Sequence, residues 1–164
     1  MYWQDALSGS MEIAIAIAGF SGIVAVFGRR NDDFMQAADH IRLSVLLTAS
    51  AVAVLFSLAP FVVLDAGVPE FIFWRVGSAV QGAWIISIAL YRMKQAQVSG
   101  VASVMHIKVM VSLMLLVVIA QVTNALFYGQ SWLYVIGVAF QLAVAFSSFS
   151  GLLLDRWKDN EESP

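Results

Sequence analysis

Between Lys108 and Asp155 the chain runs for 46 consecutive positions without a charged residue. A helix rises about 1.5 Å per residue, so a bilayer core of about 30 Å takes about 20 apolar residues. The stretch therefore fits two membrane spans and a tight turn. Gly129, Gln130 and Ser131 supply that turn, with Ser131 placed to cap the helix that follows. Three earlier apolar segments extend the pattern. The spans predicted are 8–27, 43–64, 71–91, 107–128 and 132–154. The expected fold is all-α: an integral membrane bundle of five transmembrane helices in a single membrane domain. Residues 155–164 form a short polar tail.

The alternation IAIAIA within MEIAIAIAGF imitates a strand. One strand cannot satisfy its backbone in lipid, and the repeated alternating segments of a barrel are missing, so this segment reads as helix. Hydrophobic residues make up 60% of the chain and charged ones 12%, about half the share usual in soluble domains. That balance excludes an ordinary soluble domain, a disordered chain and a protein built on a basic nucleic-acid patch. With no cysteine, there is no disulfide, thiolate metal site or cysteine nucleophile. The opening MYWQDALSGSME has no Lys or Arg, whereas a secretory signal starts basic. The first span is therefore expected to be retained.

Charge sets the orientation. Arg29, Arg30 and Arg42 fall between the first two spans. Arg92, Lys94 and Lys108 fall between the third and fourth, and Arg156 and Lys158 follow the fifth. With five spans, eight of the nine basic residues lie on one side, which the positive-inside rule makes cytoplasmic. The N-terminus is then outside and the C-terminus cytoplasmic. Tyr2, Trp3, Trp74, Tyr128, Trp132 and Tyr134 lie near the outer ends, and Tyr91 and Trp157 near the inner ends, where headgroups favour such rings. Asp33 and Gln36 resemble a capping box that starts the second helix ahead of the bilayer. Pro60 is expected to kink the second helix, and Pro69 fits the first turn of the third.

Polar residues at membrane depth are costly and therefore informative. Counted from the outer ends, Glu12, Arg75, Asn124, Gln121, Gln81 and Gln141 fall in one layer, about 5–15 Å below the boundary. At helical spacing Gln121, Asn124, Ala125 and Tyr128 share a stripe, continued by Met114 and Met110. Arg75, Ser78, Gly82 and Ala89 share another, and Tyr134, Gly137, Gln141, Ala145 and Ser148 a third. These stripes are expected to face the bundle interior. Glu12 and Arg75 are expected to form an ion pair. Asp65 and Glu70 are rival partners for Arg75, and independent snorkelling to the headgroups is the plainer alternative. For Ser78, Gln81, Gln121, Asn124 and Gln141 the alternatives are interhelical hydrogen bonding and an outward-open polar site.

On the first helix Ala14, Ala18, Ser21, Gly22 and Ala25 occupy one arc, flanked by Gly19. Small residues spaced by four let helix backbones approach, within the protomer or between copies. The segment AGFSGIVAVFGRR, residues 18–30, resembles the N-terminal segment of small uncharacterised bacterial multi-helix membrane proteins. The resemblance covers about a tenth of the chain. It implies a bacterial inner-membrane location and no particular activity, so no site residue is carried over. Five helices and five tryptophans are also similar in size to the tryptophan-rich sensory, translocator-type family, but the proline-rich signature of that family is missing.

No cofactor or metal is expected. His40 and His106 fall at helix entrances on the cytoplasmic side, outside the depth where a haem ligand would sit. No phosphate loop, HExxH or nucleophile–base set is present, so an enzyme is not expected. The sequence favours an outward-side intramembrane polar site, used for transport or permeation of an ion or small solute. The alternative is a non-enzymatic accessory or ligand- or lipid-binding subunit acting through helix packing. Partners expected are the lipid bilayer and either further copies or another membrane protein, not nucleic acid.

Overall fold

Long apolar runs without internal breakers become helices, and punctuation falls where glycine and proline cluster. The computed structural model describes residues 2–28, 37–99 and 104–162. Arg29, Arg30 and the Asp33–Gln36 box lie outside the described residues. So do the side chains of Ala25, His40, Met110 and His106.

The helices are α1 (Tyr2–Gly28), α2 (Ala37–Asp65), α3 (Glu70–Ser99), α4 (Val104–Thr123) and α5 (Ser131–Glu162). A π-helical turn, Asn124–Tyr128, ends α4. All five helices are long and apolar enough to cross a membrane, over Tyr2–Ile23, Arg42–Asp65, Glu70–Leu90, Val111–Tyr128 and Ser131–Gly151. No strand occurs among the described residues. Most helices outrun the apolar segments that mark them. Hydropathy records where lipid would lie, whereas a helix continues into polar sequence until a breaker stops it.

The α2–α3 turn shows such a stop. Gly67 adopts φ +88°, and its N–H donates to the Leu64 carbonyl at 3.0 Å. The Val68 N–H donates to the Val63 carbonyl at 3.4 Å. This pair of bonds is the Schellman arrangement, which a left-handed glycine closes without a Cβ penalty. Pro69 follows, and its carbonyl accepts from the Ile72 and Phe73 N–H groups to open α3. Pro60 is buried inside α2, where it has no N–H to donate.

The chain divides into two compact units. The first comprises Met1–Ala59 and Gln141–Pro164, the second Pro60–Phe140. In the first unit Leu7, Ala14 and Ser21 are fully buried at seven-residue intervals along α1. On α2 the buried line is Leu46, Ala49, Ser50, Ala53 and Ser57, and on α5 Gln141 and Ala145. Arg42 Nη1 donates to the Gly151 carbonyl at 3.3 Å, joining α2 to α5. Phe20 meets Phe149 edge-on at 6.5 Å, joining α1 to α5.

In the second unit α3 packs against α4 and the π turn. Phe73, Trp74 and Tyr134 form an aromatic cluster with centroids 4.9–5.7 Å apart. Trp74 and Tyr134 are therefore core rings, not the headgroup rings expected from their position. Burying them beside Phe73 gains edge-to-face contact as well as apolar area. Tyr2, Tyr128 and Trp132 stay exposed, as rings at headgroup level would be.

Candidate functional site

The π turn determines how the polar side chains of the second unit meet. Its wider winding bonds the Gly129 N–H to the Asn124 carbonyl, five residues back, at 2.9 Å. Gly129 then takes φ +63° and ends the turn. A Cβ there would stand 3.1 Å from the Phe71 carbonyl and 3.2 Å from Cγ of Arg75, so only glycine fits without displacement. The extra winding also rotates Tyr128 off the Gln121–Asn124 stripe. Asn124 is buried, while Tyr128 is 62% exposed.

Asn124 is the hub. Its Nδ2 donates to Ser78 Oγ at 2.8 Å and to the Gln130 carbonyl at 2.9 Å. Its Oδ1 accepts from the Gln130 N–H at 2.7 Å. One amide thus ties α3 to the α4–α5 turn and satisfies both peptide groups of Gln130.

Gln81 and Gln121 form the next tier. Nε2 of Gln121 donates to the Leu133 carbonyl at 2.7 Å. The Gln81 amide takes the orientation in which both ends find partners. Its nitrogen donates to the Tyr134 carbonyl and to Gln121 Oε1, each at 3.2 Å, and its oxygen accepts from the Val138 N–H at 3.0 Å. Both glutamines reach the backbone of α5 because residue 137 is glycine. A Cβ there would collide with Oε1 of Gln81 and stand 2.7 Å from Nε2 of Gln121. Ser78, Gln81, Gln121 and Asn124 are all fully buried.

Arg75 lies beside this layer, half-buried. Its Nη2 donates to the Leu126 carbonyl at 2.6 Å. That carbonyl belongs to the π turn that ends α4, where carbonyls lack intrahelical donors and the helix dipole is negative. Arg75 therefore acts as a side-chain cap on the α4 C-terminus. It forms no ion pair with Asp65 or Glu70, the rival acids of its own unit. Glu12 belongs to the first unit, so the expected Glu12–Arg75 pair is not one that either unit makes by itself. Glu12 is exposed. Because α1 starts at Tyr2 and not at Ser8, it stands ten residues from the start of the helix instead of four.

Gln141, expected in the same layer, belongs to the first unit and is buried with its Nε2 unpartnered. Ser50 and Ser57 of that unit are likewise buried with unpartnered hydroxyls. Neither serine was singled out by sequence. Their seven-residue spacing on α2 was the available signal. The remaining hydroxyls mostly turn back onto their own helix. Ser21 donates to the Ile17 and Ala18 carbonyls, and Ser148 to that of Val144. The small arc of α1 divides: Ala14 and Ser21 are buried, Ala18 is half-buried, and Gly19 and Gly22 are exposed.

The chain matches no known protein family, no curated protein and no solved structure. Its site must be read from its own chemistry. In the second unit that chemistry is hydrogen bonding between amides, a hydroxyl and main chain.

Proposed function

We propose that this chain is a multi-pass membrane protein of a bacterial inner membrane, with its N-terminus outside and its C-terminus cytoplasmic. It acts without catalysis, as an accessory or ligand- or lipid-binding subunit working through helix contacts. One observation carries the reading: Ser78, Gln81, Gln121 and Asn124 are fully buried and bonded to one another and to main chain. A transport site needs polar groups that exchange partners with a solute. Groups this committed serve as a rigid frame. Support for the orientation is the sidedness of the basic residues, and for the bacterial membrane the segment 18–30. Chemical crosslinking in native membranes tests the role. Recovery of a complex larger than the monomer is expected, and recovery of monomers alone counts against it. A reporter fused after Pro164 is expected on the cytoplasmic side.

The second reading, permeation of a small solute, is favoured by Ser50, Ser57 and Gln141, whose buried polar atoms have no protein partner. Flux in proteoliposomes that survives Gln141→Leu with Ser50→Ala unchanged argues against it.

A further inference from the structure

The amide nitrogen of Gln141 is buried and has no hydrogen-bond partner among the described residues. Gln141 stands ten residues, about 15 Å, beyond the start of α5 at Ser131. The first charged residue after it, Asp155, is fourteen residues on. The amide therefore lies deep in an apolar run, where an unmet donor is costly. Its direction follows from two contacts made inside the first unit. At about 100° per residue, Phe149, which meets Phe20 of α1, lies about 80° to one side of Gln141. Gly151, whose carbonyl accepts from Arg42 of α2, lies about 80° to the other side. Gln141 thus points between α1 and α2. A serine can turn back onto its own helix, as Ser21 does, whereas the longer glutamine carries its amide out to its neighbours.

The same two contacts set the level. As first and fifth spans α1 and α5 run in one direction, and α2 runs in the other. Ser50 lies eight residues from Arg42, about 12 Å, and Gln141 lies ten from Gly151, about 15 Å the same way. Ser50 and Gln141 therefore come within about 3 Å of one level, and counting back from Phe20 and Phe149 brings Ala14 as close. The Ser50 hydroxyl is buried and unpartnered as well. Ser57 lies seven residues further along α2 and outside this level. The other buried residues of the unit near it are Ala14, Ala49, Ala53 and Ala145, which offer methyl groups only. Glu12 is exposed, on the far side of α1 from Ala14.

We infer that a water molecule lies between α1, α2 and α5 at this level, accepting from Gln141 Nε2 and donating to Ser50 Oγ. The amide nitrogen only donates, so it takes an acceptor, whereas a serine hydroxyl does either. Both groups are neutral, and a neutral ligand is the one least costly to bury among methyl groups. Water is the smallest molecule that offers a donor and an acceptor together, and a buried water is held by about two to four polar partners. Ordering a water offsets much of what its bonds return, so the site adds little net stability and is to be read by contact with water, not by unfolding.

The inference goes beyond the accessory reading and rests on the membrane placement of α1, α2 and α5. Nuclear magnetic resonance on the full chain, labelled with 15N in its glutamine side chains and held in phospholipid nanodiscs, tests it by magnetisation transfer from water. Gln81 and Gln121 are the internal standards, since both are buried and bonded to main chain. The Gln141 amide, identified by the signal that Gln141→Leu removes, is expected to receive several-fold more transfer than either. Ser50→Ala is expected to lower transfer to Gln141 several-fold and to leave the other two unchanged. Transfer to Gln141 no greater than to Gln81 and Gln121 overturns the inference, because its nitrogen is then served by a protein group of either unit. A Gln141 signal indifferent to Ser50→Ala overturns the bridge. Should Ser50→Ala fail to accumulate, the comparison of the three glutamines in the unaltered chain still decides. Failure on these terms leaves the accessory reading standing, since that reading is carried by the second unit, and removes the support that Gln141 lends to permeation.

Discussion

In the second unit the amide of Asn124 uses both its nitrogen and its oxygen, while in the first the amide nitrogen of Gln141 has no partner. Both residues are buried polar amides on apolar helices. The difference lies in what faces them. Asn124 and Gln121 are set against a turn and a glycine, which expose main-chain carbonyls and N–H groups at contact distance. The first unit places its serines along helix whose backbone is bonded to itself apart from the turn before Pro60. Ser21 and Ser148 then fold back onto their own turns. Buried polar groups become tertiary fasteners here where a neighbouring helix presents accessible backbone or a second polar side chain. Elsewhere in the same bundle they are local, or await something the chain does not supply.

That contrast is sharpest at Gly137. Gly137→Val drives a side chain into the Gln81 and Gln121 amides. The expected cost is about 3 kcal/mol or more, from overpacking together with lost buried bonds. It is read as earlier unfolding on titration with denaturing detergent. Asn124→Ala ranks next. It leaves the Gln130 peptide and Ser78 Oγ without their partner and is expected to cost about 2 kcal/mol by the same assay. Arg75→Met uncaps the α4 carbonyl and is expected to cost about 1 kcal/mol, with Arg75→Lys recovering part of it. In the first unit the sign reverses. Gln141→Leu and Ser57→Ala remove unpartnered buried atoms and are expected to be neutral or to stabilise by about 0.5 kcal/mol. A loss above about 1 kcal/mol in either would break the contrast and show that these atoms hold a bound water or solute.

The helices were legible because twenty-residue apolar runs leave little choice. Their ends were not, since α1 begins at Tyr2 and α5 continues to Glu162 beyond their apolar cores. That offset puts Glu12 ten residues from the start of its helix instead of four. The polar residues of the layer were legible too, as amides at helical spacing. Their partners were not, because most of those partners are peptide groups, which carry no signature in a sequence. The π turn was hidden for the same reason. No residue of Asn124–Tyr128 announces five-residue winding, yet it turns Tyr128 outward. Trp74 and Tyr134 were misplaced because an aromatic ring near a span end fits a headgroup or a core equally well. Only the neighbouring Phe73 decides.

The fastening of α5 by its main chain has a consequence for how that helix is indexed. Every residue of a helix offers the same peptide group, so Gln81 and Gln121 cannot distinguish one turn of α5 from the next. The side chains at 133, 134 and 138 are not read by these bonds at all. What tells the amides where to stop is the notch at Gly137, where they come close to the helix axis for want of a Cβ. Gly137→Ala, which puts a Cβ against both amides, would close that seat.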